Sequence, residues 1–213
     1  YKTEKFLIAS EIWMKRSGTR HFLVFFQNPS EIRPGGGFIG SYADLTLTKD
    51  GLQNIEVRDI YDPDGQLVSK IIPPRELQGL TKTWGARDAN WFFDFPTSAR
   101  KIIKLLENSK MYFEYGTSFD GAVAVNVHVI ETLLGITGPI KLPEYDLTIT
   151  EDNFLREVQR EVEAGEDNAA GEPKRILKVI TPLLFESLTN AGGDTGNALW
   201  KNLKSHVDHK DIM

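Results

Sequence analysis

A run of five consecutive apolar residues constrains the fold of this chain more than any other feature. The run covers residues 22–26, includes three phenylalanines, and lies inside a predicted strand over residues 21–27. An unbroken apolar run of this length is typical of a strand buried on both faces, because a strand with one wet face alternates apolar and polar residues. The run therefore predicts a central strand in a sheet that is covered on both sides.

Three further strands and several helices follow from the pattern along the chain. Residues 38–47 and 52–59 are predicted strands, and residues 119–127 form a second strongly apolar strand. A short helix predicted over residues 129–134 stands between two strands, which favours parallel pairing of those strands. Longer helices are predicted over residues 98–108, from residue 150, and over residues 174–188, where Pro182 is expected to kink or divide the helix.

The chain is long enough for one α/β domain with an ordinary core. Its 213 residues exceed the commonest domain size of roughly 100–150 residues but still fit one layered α/β domain. We therefore predict a single domain over residues 1–213, with an N-terminal helix in residues 1–17 and a C-terminal helical part, residues 150–213, that packs on the sheet. Hydrophobic residues make up 40% of the chain, so a core can form without a cofactor.

Charge, cysteine content and apolar run length narrow the classes of partner. The formal net charge of -5 repels a polyanion, which argues against nucleic acid. The absence of cysteine excludes disulfides and thiolate zinc sites. No apolar run approaches the roughly 18–20 residues that span a bilayer. Because the sequence starts at Tyr1 without a methionine and enters a helical pattern at once, an upstream segment is expected, and a membrane anchor is one hypothesis for it.

The sequence carries none of the strongly spaced motifs of common enzyme classes. It has no Gly-x-Ser-x-Gly elbow, no Walker-type loop and no His-Glu-x-x-His helix. Its four histidines are scattered, which argues against a histidine metal site. The segment from Asp62 resembles the start of a calcium loop, but its twelfth position is Pro73, where a bidentate glutamate is required. A turn is the better interpretation of that segment.

A glycine-rich loop next to an arginine is the first candidate binding element. Arg33 precedes three consecutive glycines at residues 35–37. Glycines allow backbone N–H groups to converge on an anion, and a guanidinium adds paired donors and a permanent positive charge. Phosphate or pyrophosphate would suit such a loop. A plain connection with a solvated arginine stays the alternative.

Charged and amide side chains from distant segments are further candidates for the same site. Arg58 and Asp59 end a predicted strand, and open α/β sheets place ligand-binding groups at strand ends. A cluster of arginines in one cleft would form a local positive site in an acidic protein, whereas ion pairs with neighbouring glutamates are the alternative. The other candidates are Arg87, Asp88 and Asn90, the i,i+4 pair Arg156 and Arg160, and Arg175.

Several of these segments resemble one bacterial family. The similar segments are residues 22–28 and 31–42, Tyr61-Asp62, residues 87–96 and residues 120–139, and they resemble the bacterial domain-of-unknown-function 4012 family. That family is usually found in envelope-associated proteins behind a membrane anchor, and its biochemical activity is unknown. The resemblance implies an extracytoplasmic domain that is membrane-anchored in the full-length protein.

The order of parts is also similar, at greater distance, to the LytR-CpsA-Psr phosphotransferases. These enzymes move glycopolymers linked to polyprenyl pyrophosphate onto the cell wall, using arginines and a divalent cation. The similarity implies a three-layer α/β/α sandwich with a central mixed sheet, a polyprenyl-phosphate-linked glycan or other phosphorylated ligand as partner, and Mg²⁺ as cofactor. The matching parts are the apolar strand over residues 22–26, Val57-Arg58-Asp59, Asn90, residues 120–140 and Lys174-Arg175.

One departure from those enzymes bears on catalysis. Where they carry an Arg-Ser-Asp triple that supplies a metal ligand, residues 37–40 of this chain read Gly-Phe-Ile-Gly. Arg33 is the candidate replacement for the missing arginine. Asp44, Asp59 and Asp88 are the candidates for the missing acid, so magnesium binding and catalysis are both left open.

Two hypotheses for function result. In the first, the domain binds a phosphorylated lipid-linked glycan as a phosphotransferase: Arg33, Arg58 and Arg175 hold phosphate oxygens, and apolar walls take the lipid. Asp59 or Asp88 then holds a cation or acts as base. In the second, the domain is a non-catalytic binding or scaffolding module of the envelope. Convergence of the arginines in one pocket favours the first hypothesis, and their dispersal favours the second.

Overall fold

A four-stranded sheet forms around the predicted apolar strand in this computed structural model, which describes residues 18–213 and, at Glu166, the backbone alone. Strand β1 is central, because it pairs antiparallel with β2 and parallel with β4. The prediction of an α/β fold with a central mixed sheet is thereby confirmed. The strands are β1 (Arg20–Asn28), β2 (Phe38–Thr48), β3 (Gly51–Asp59) and β4 (Gly121–Asn126), in the order β3-β2-β1-β4.

Helices lie on both faces of this sheet. The first layer comes from the segment between β3 and β4 and contains α1 (Tyr61–Asp64), α2 (Phe95–Glu107) and α3 (Lys110–Phe113), with short 3-10 turns at Arg75–Leu77 and Ala86–Asp88. The second layer follows β4 and contains α4 (Val127–Thr137), the β5 (Ile140–Leu142) and β6 (Leu147–Ile149) hairpin, α5 (Phe154–Ala164), α6 (Glu166–Ala169), α7 (Arg175–Thr189) and α8 (Gly193–Asp208).

The first layer is built on α2, whose start is encoded locally. The Asp94 carboxylate accepts the backbone N–H of Thr97 at 3.0 Å, and a proline occupies the first turn. These contacts satisfy donors that the helix itself leaves unpaired. The apolar stripe of α2, including the fully buried Ile102 and Leu105, shares one core with Leu23 of β1.

The second layer packs on the opposite face of the sheet. Val24 of β1, Ala43 of β2 and Val57 of β3 form a core with Leu177 and Phe185 of α7. Successive residues of a strand point to opposite faces, so each face of β1 receives apolar side chains from the same run. This is why the run reads as unbroken in the sequence.

The parallel pairing forms with a different partner from the one that the sequence suggested. The strand–helix–strand pattern predicted pairing between β4 and the strand after α4, but β4 pairs in parallel with β1. β5 instead pairs antiparallel with β6 in a separate hairpin. Gly138 ends α4 with a positive φ of 93°, and Pro139 follows it, so the chain turns away from the sheet before β5 begins.

Two further sequence predictions concern helices. Pro182 was expected to kink or divide its helix; it lies inside α7, which continues from Arg175 to Thr189 without a division. Proline cannot donate to the carbonyl four residues earlier, but that carbonyl belongs to Lys178, an exposed residue, where water can reach it. The helix predicted in residues 1–17 lies outside the described residues, and the single-domain prediction stays a prediction.

The last three residues add an edge to the sheet. The backbone of Ala124 exchanges two hydrogen bonds with Met213, at 2.9 and 3.0 Å, and Asn126 N–H donates to the Asp211 carbonyl at 3.1 Å. The Asp211 side chain is held by Asn126 at 2.7 Å and by His206 at 2.9 Å. The segment therefore covers the edge of β4. Within residues 18–213, no helix combines the length and apolar character that a bilayer crossing requires.

Candidate functional site

An apolar cleft of about 310 Å³ lies between the sheet and the second helical layer. Its floor is formed by β1, β2 and β4, and its walls by α4, α5 and α7. Apolar side chains dominate its surface. They include Val24, Phe26, Val125, Ile130, Leu133, Phe154, Val158, Val162, Leu177, Leu184 and Phe185.

Two local patterns make this cleft apolar. Val24 and Phe26 project from β1 into it, because they alternate with Leu23 and Phe25, which lie in the core on the other face. On α5, Phe154, Val158 and Val162 recur at helical spacing, so they form one stripe along the cleft. The sequence therefore supplies more apolar surface on this side than the two layers bury against each other.

Polar residues meet the cleft where β1 ends and β2 begins. We call this edge the β1–β2 rim and define it by Asn28, Glu31, Phe38, Gly40 and Lys174, all of which line the cleft. The carboxyl ends of parallel strands are the usual place for ligands in open α/β sheets, and β1 and β4 both end here. The rim is therefore the natural position for the polar part of a ligand.

Lys174 gives the rim a positive charge that sequence analysis did not single out. Its Nζ lies 3.7 Å from the position that a Cβ atom on Gly40 would take, and it directly precedes α7. No carboxylate among the described residues lies within ion-pair distance of Lys174. The N-terminal end of a helix adds partial positive charge at the same place. The sequence contains the basic pair Lys174-Arg175, and Arg175 was predicted to bind phosphate. Adjacent residues at the start of a helix point in different directions, so only one of the two faces the cleft.

Carboxylates also lie along the cleft. Glu31 is exposed at the rim, where its Oε1 accepts Asn28 Nδ2 at 3.3 Å. Glu163 of α5 lines the cleft as well. An anionic group at the rim would be attracted by the ammonium group of Lys174 and repelled by the carboxylate of Glu31.

Arg33 lies next to the rim, as the loop pattern suggested. Its guanidinium carbon is 4.9 Å from the ring centroid of Phe38, and Nη1 donates to the Ile32 carbonyl at 2.9 Å. This stacking leaves further N–H donors of Arg33 available. Arg33 is the predicted site residue that stacks on an aromatic ring of the cleft wall, the ring of Phe38.

Asn90 holds the glycine loop in place. It is completely buried, its Nδ2 donates to the Gly37 carbonyl at 2.7 Å, and its own carbonyl accepts Gly35 N–H at 3.3 Å. Gln27 Nε2 donates to the Gly35 carbonyl at 2.9 Å from the other side. Asn90 therefore fastens residues 35–37 instead of facing a ligand.

Arg58 and Asp59 lie on opposite faces of the sheet. Ser41 pairs with Asp59 and lines the cleft, whereas Arg58 pairs with Tyr42, which is buried in the core of the other face. The Arg58 guanidinium carbon lies 5.9 Å from the Tyr112 ring, and Nη2 contacts Glu56 at 2.6 Å. Asp59 Oδ1 accepts a backbone N–H at 2.9 Å.

The remaining candidates form local ion pairs. Arg87 stacks on Tyr61 at 5.0 Å and its Nε donates to Asp88 at 3.2 Å.

Arg175 pairs with Glu144 and Asp167, and the hydrogen bond to Asp167 raises the pKa of Arg175. Arg156 and Arg160 both contact Glu157, at 3.0 and 3.2 Å, and Arg160 also contacts Glu161 at 2.9 Å. The structure does not bring Arg33, Arg58 and Arg175 into one cleft.

The family follows from comparison of the sequence. A family model described as "Protein of unknown function (DUF4012)" matches residues 17–162. The chain belongs to the DUF4012 family. No curated protein matches it. The prediction of this family from residues 22–139 is thereby confirmed.

The solved structure of a LytR-CpsA-Psr protein, TagV, shares the fold of this DUF4012 domain. B. subtilis TagV matches with a TM-score of 0.50 at 12% identity, covering 84% of this chain and 68% of TagV. Lin1025 from Listeria innocua matches with a TM-score of 0.48 at 13% identity, covering 82% of this chain and 67% of Lin1025. At 12% identity, the likeness to TagV concerns the fold alone.

The described acidic residues do not form a preassembled metal cluster in this DUF4012 domain. Mg²⁺ prefers oxygen ligands in near-octahedral geometry. Within residues 18–213, no three His, Asp or Glu side chains come together as a group able to hold a metal. Asp59 accepts the backbone N–H of Tyr61, and Asp88 pairs with Arg87, so each of the two predicted acids already contacts a protein group.

Proposed function

We propose that this DUF4012 domain binds a lipid-linked intermediate of the bacterial envelope, with the hydrocarbon chain in the apolar cleft. The observation that carries the proposal is the cleft itself, whose volume of about 310 Å³ lies at the lower end of ligand pockets. The similarity to LytR-CpsA-Psr proteins supports a polyprenyl chain as the lipid and an extracytoplasmic, membrane-anchored setting.

The cleft is too large and too apolar to be an ordinary packing defect. One water needs roughly 10–15 Å³ of such volume, and interiors hold few voids larger than that. Apolar walls in contact with water are unfavourable by about 25 cal/mol per Å², and a hydrocarbon chain would remove that cost. Saturated or isoprenoid chains need no hydrogen bonds from the walls, which matches Val158, Val162 and Leu177.

The head group of such a lipid would lie at the β1–β2 rim. Lys174 and the N-terminal end of α7 supply positive charge there, and Arg33 stacks beside the rim on Phe38. Phosphate and pyrophosphate head groups are anionic and accept several hydrogen bonds, so they suit these donors. The head-group contacts therefore come from Lys174 and Arg33, and Arg58 and Arg175 take no part.

The arrangement favours binding without transfer. Phosphoryl transfer by the similar enzymes uses a cation and several arginines around one phosphate. In this chain the predicted acids Asp59 and Asp88 contact other groups, and Arg175 is paired with two carboxylates. We therefore propose a binding or scaffolding module, for which turnover is not required.

The test measures binding of farnesyl phosphate and undecaprenyl phosphate by native mass spectrometry. Val162→Trp places an indole in the cleft, and Val207→Trp, at an exposed position of α8, is the matched control. Wild type and Val207→Trp are expected to bind both lipids, and Val162→Trp to lose binding while keeping its circular dichroism spectrum. Absence of binding to the wild type, or equal binding by folded Val162→Trp, would overturn the proposal.

A further inference from the structure

The face of the sheet opposite the cleft carries a second, polar depression. We call it the sheet-face groove and define it by His21, Asp44, Glu56, Arg58, Tyr112 and Tyr115, which line a volume of about 440 Å³. The proposed lipid site uses none of these residues. The groove lies over β1, β2 and β3, outside the area that α2 covers.

Strand register explains why polar side chains gather there. Asp44 of β2 is opposite Glu56 of β3, and Tyr42 is opposite Arg58. His21 of β1 is opposite Thr46, which also lines the groove. Side chains of paired residues share a face, with Cβ atoms about 4.5–5.5 Å apart. The result is a regular array of donors and acceptors along the floor of the groove.

Fixed contacts hold this array in place. His21 Nδ1 lies 3.3 Å from Asp44 Oδ1, and Arg58 Nη2 lies 2.6 Å from Glu56 Oε2. Asp44 is only 8% exposed, so its orientation is set by packing. The Arg58 guanidinium has five N–H donors, and the contact with Glu56 leaves others for a ligand.

Tyr112 lines the groove and is held from behind by the buried Tyr42. The hydroxyl groups of Tyr42 and Tyr112 lie 2.8 Å apart in a hydrogen bond. Burial raises the pKa of both phenols above the ordinary value, so both keep their protons at neutral pH. At the outer edge Tyr115 is 82% exposed and presents an aromatic ring to solvent.

The chemistry of these groups selects a class of ligand. The carboxylates of Asp44 and Glu56 face the guanidinium of Arg58 and the imidazole of His21, so the groove has no excess of positive charge to attract a phosphate. Carboxylates accept hydrogen bonds from hydroxyl groups, a guanidinium donates to hydroxyl oxygens, and an exposed aromatic ring packs on the C–H face of a sugar. We propose that the sheet-face groove is a binding site for a neutral saccharide.

The test uses saturation-transfer NMR and calorimetric titration with chitotriose, cellotriose and mannotriose. Tyr115→Ala removes the exposed ring, and Phe113→Ala, at an exposed position of α3 outside the groove, is the matched control. At least one of the three saccharides is expected to bind the wild type. Tyr115→Ala is expected to weaken that binding about fivefold, and Phe113→Ala to leave it unchanged.

The outcomes separate this site from the lipid site. Val162→Trp is expected to keep saccharide binding, and Tyr115→Ala to keep farnesyl phosphate binding, because the two sites share no residue. Failure of all three saccharides to bind would overturn the saccharide proposal alone. Stronger binding of glucose 1-phosphate than of glucose, or saccharide binding that Val162→Trp abolishes and Tyr115→Ala leaves intact, would also contradict it.

Discussion

The amide oxygen of Asn90 lies 1.9 Å from the position that a Cβ atom on Gly35 would take. Any side chain at Gly35 would collide with Asn90, and the space is already filled by an amide that bonds to Gly37. The glycine loop is therefore fastened to the segment before α2. This attachment positions Arg33 and Phe38 beside the cleft.

The contact between Gly35 and Asn90 predicts a non-additive pair of substitutions. Gly35→Ala should destabilise the domain by about 1–3 kcal/mol through overpacking. Asn90→Ala should cost about 2 kcal/mol, because the Gly37 carbonyl loses its buried donor. The double variant should lose less stability than the two single variants lose together, by at least about 0.5 kcal/mol. Asn90→Ala removes the side-chain atoms with which the new Cβ of Gly35→Ala would clash.

Urea unfolding of the four proteins measures this coupling. Gly79→Ala is the control, since a Cβ atom there meets nothing within 4 Å and the glycine has no positive φ. Its stability should stay within about 0.5 kcal/mol of wild type. Strict additivity of Gly35→Ala and Asn90→Ala would show that the two residues are not in the described contact.

Lys174 should carry much of the affinity for an anionic head group. We expect Lys174→Gln to weaken farnesyl phosphate binding about tenfold and to leave farnesol binding unchanged, because a charge-assisted contact is lost. Lys178→Gln, at an exposed position in the first turn of α7, should change neither affinity. Calorimetric titration measures both ligands, and an equal loss in the two lysine variants would rule out a specific head-group contact.

Glu31 should act in the opposite direction. Its carboxylate lies at the rim that would receive the anionic group, so Glu31→Gln should strengthen farnesyl phosphate binding about two- to fivefold. The gain should fall as salt concentration rises, because screening weakens interactions between exposed charges. Titrations at low and high salt test this, and weaker binding by Glu31→Gln would contradict the placement of the head group.

The C-terminal segment should confer pH-dependent stability. Burial opposes ionisation of Asp211, but hydrogen bonds from His206 and Asn126 and the nearby histidines lower its pKa overall. A lowered folded pKa stabilises the native state above the unfolded pKa of about 3.9, and this stability is lost as pH falls through the folded pKa. Asp211→Asn should therefore lower Tm more at pH 6 than at pH 3.

Thermal unfolding between pH 3 and pH 7 measures this difference. Asp208→Asn, at an exposed position near the end of α8, serves as the control and should follow the wild-type curve. A difference between wild type and Asp211→Asn that is constant across this range would contradict the ionic role of Asp211.

The sheet was predictable because its signal is local. The apolar run in β1 and the predicted strands over residues 38–47 and 52–59 each depend on neighbours in sequence, and all three form. The partner of β4 was not predictable in the same way. Pairing in parallel with β1 joins residues about one hundred positions apart, for example Phe22 with Gly121, and no local pattern encodes it.

The candidate site was only partly predictable for the same reason. Arg33 was chosen for its place beside the glycine loop, and it stacks on Phe38, a residue that lines the cleft. Arg58 was grouped with Asp59, although alternation along β3 sends the two to opposite faces. Arg175 was preferred to Lys174, and only the packing of α7 on the sheet shows which of the two faces the cleft.

Photo-crosslinking with a diazirine-bearing isoprenoid phosphate tests the lipid site most directly. The account predicts crosslinked peptides from α5 and α7, at positions such as Val158 and Leu177, with unlabelled farnesyl phosphate competing for the reaction. Crosslinks confined to segments outside the cleft, or labelling that farnesyl phosphate does not reduce, would contradict it.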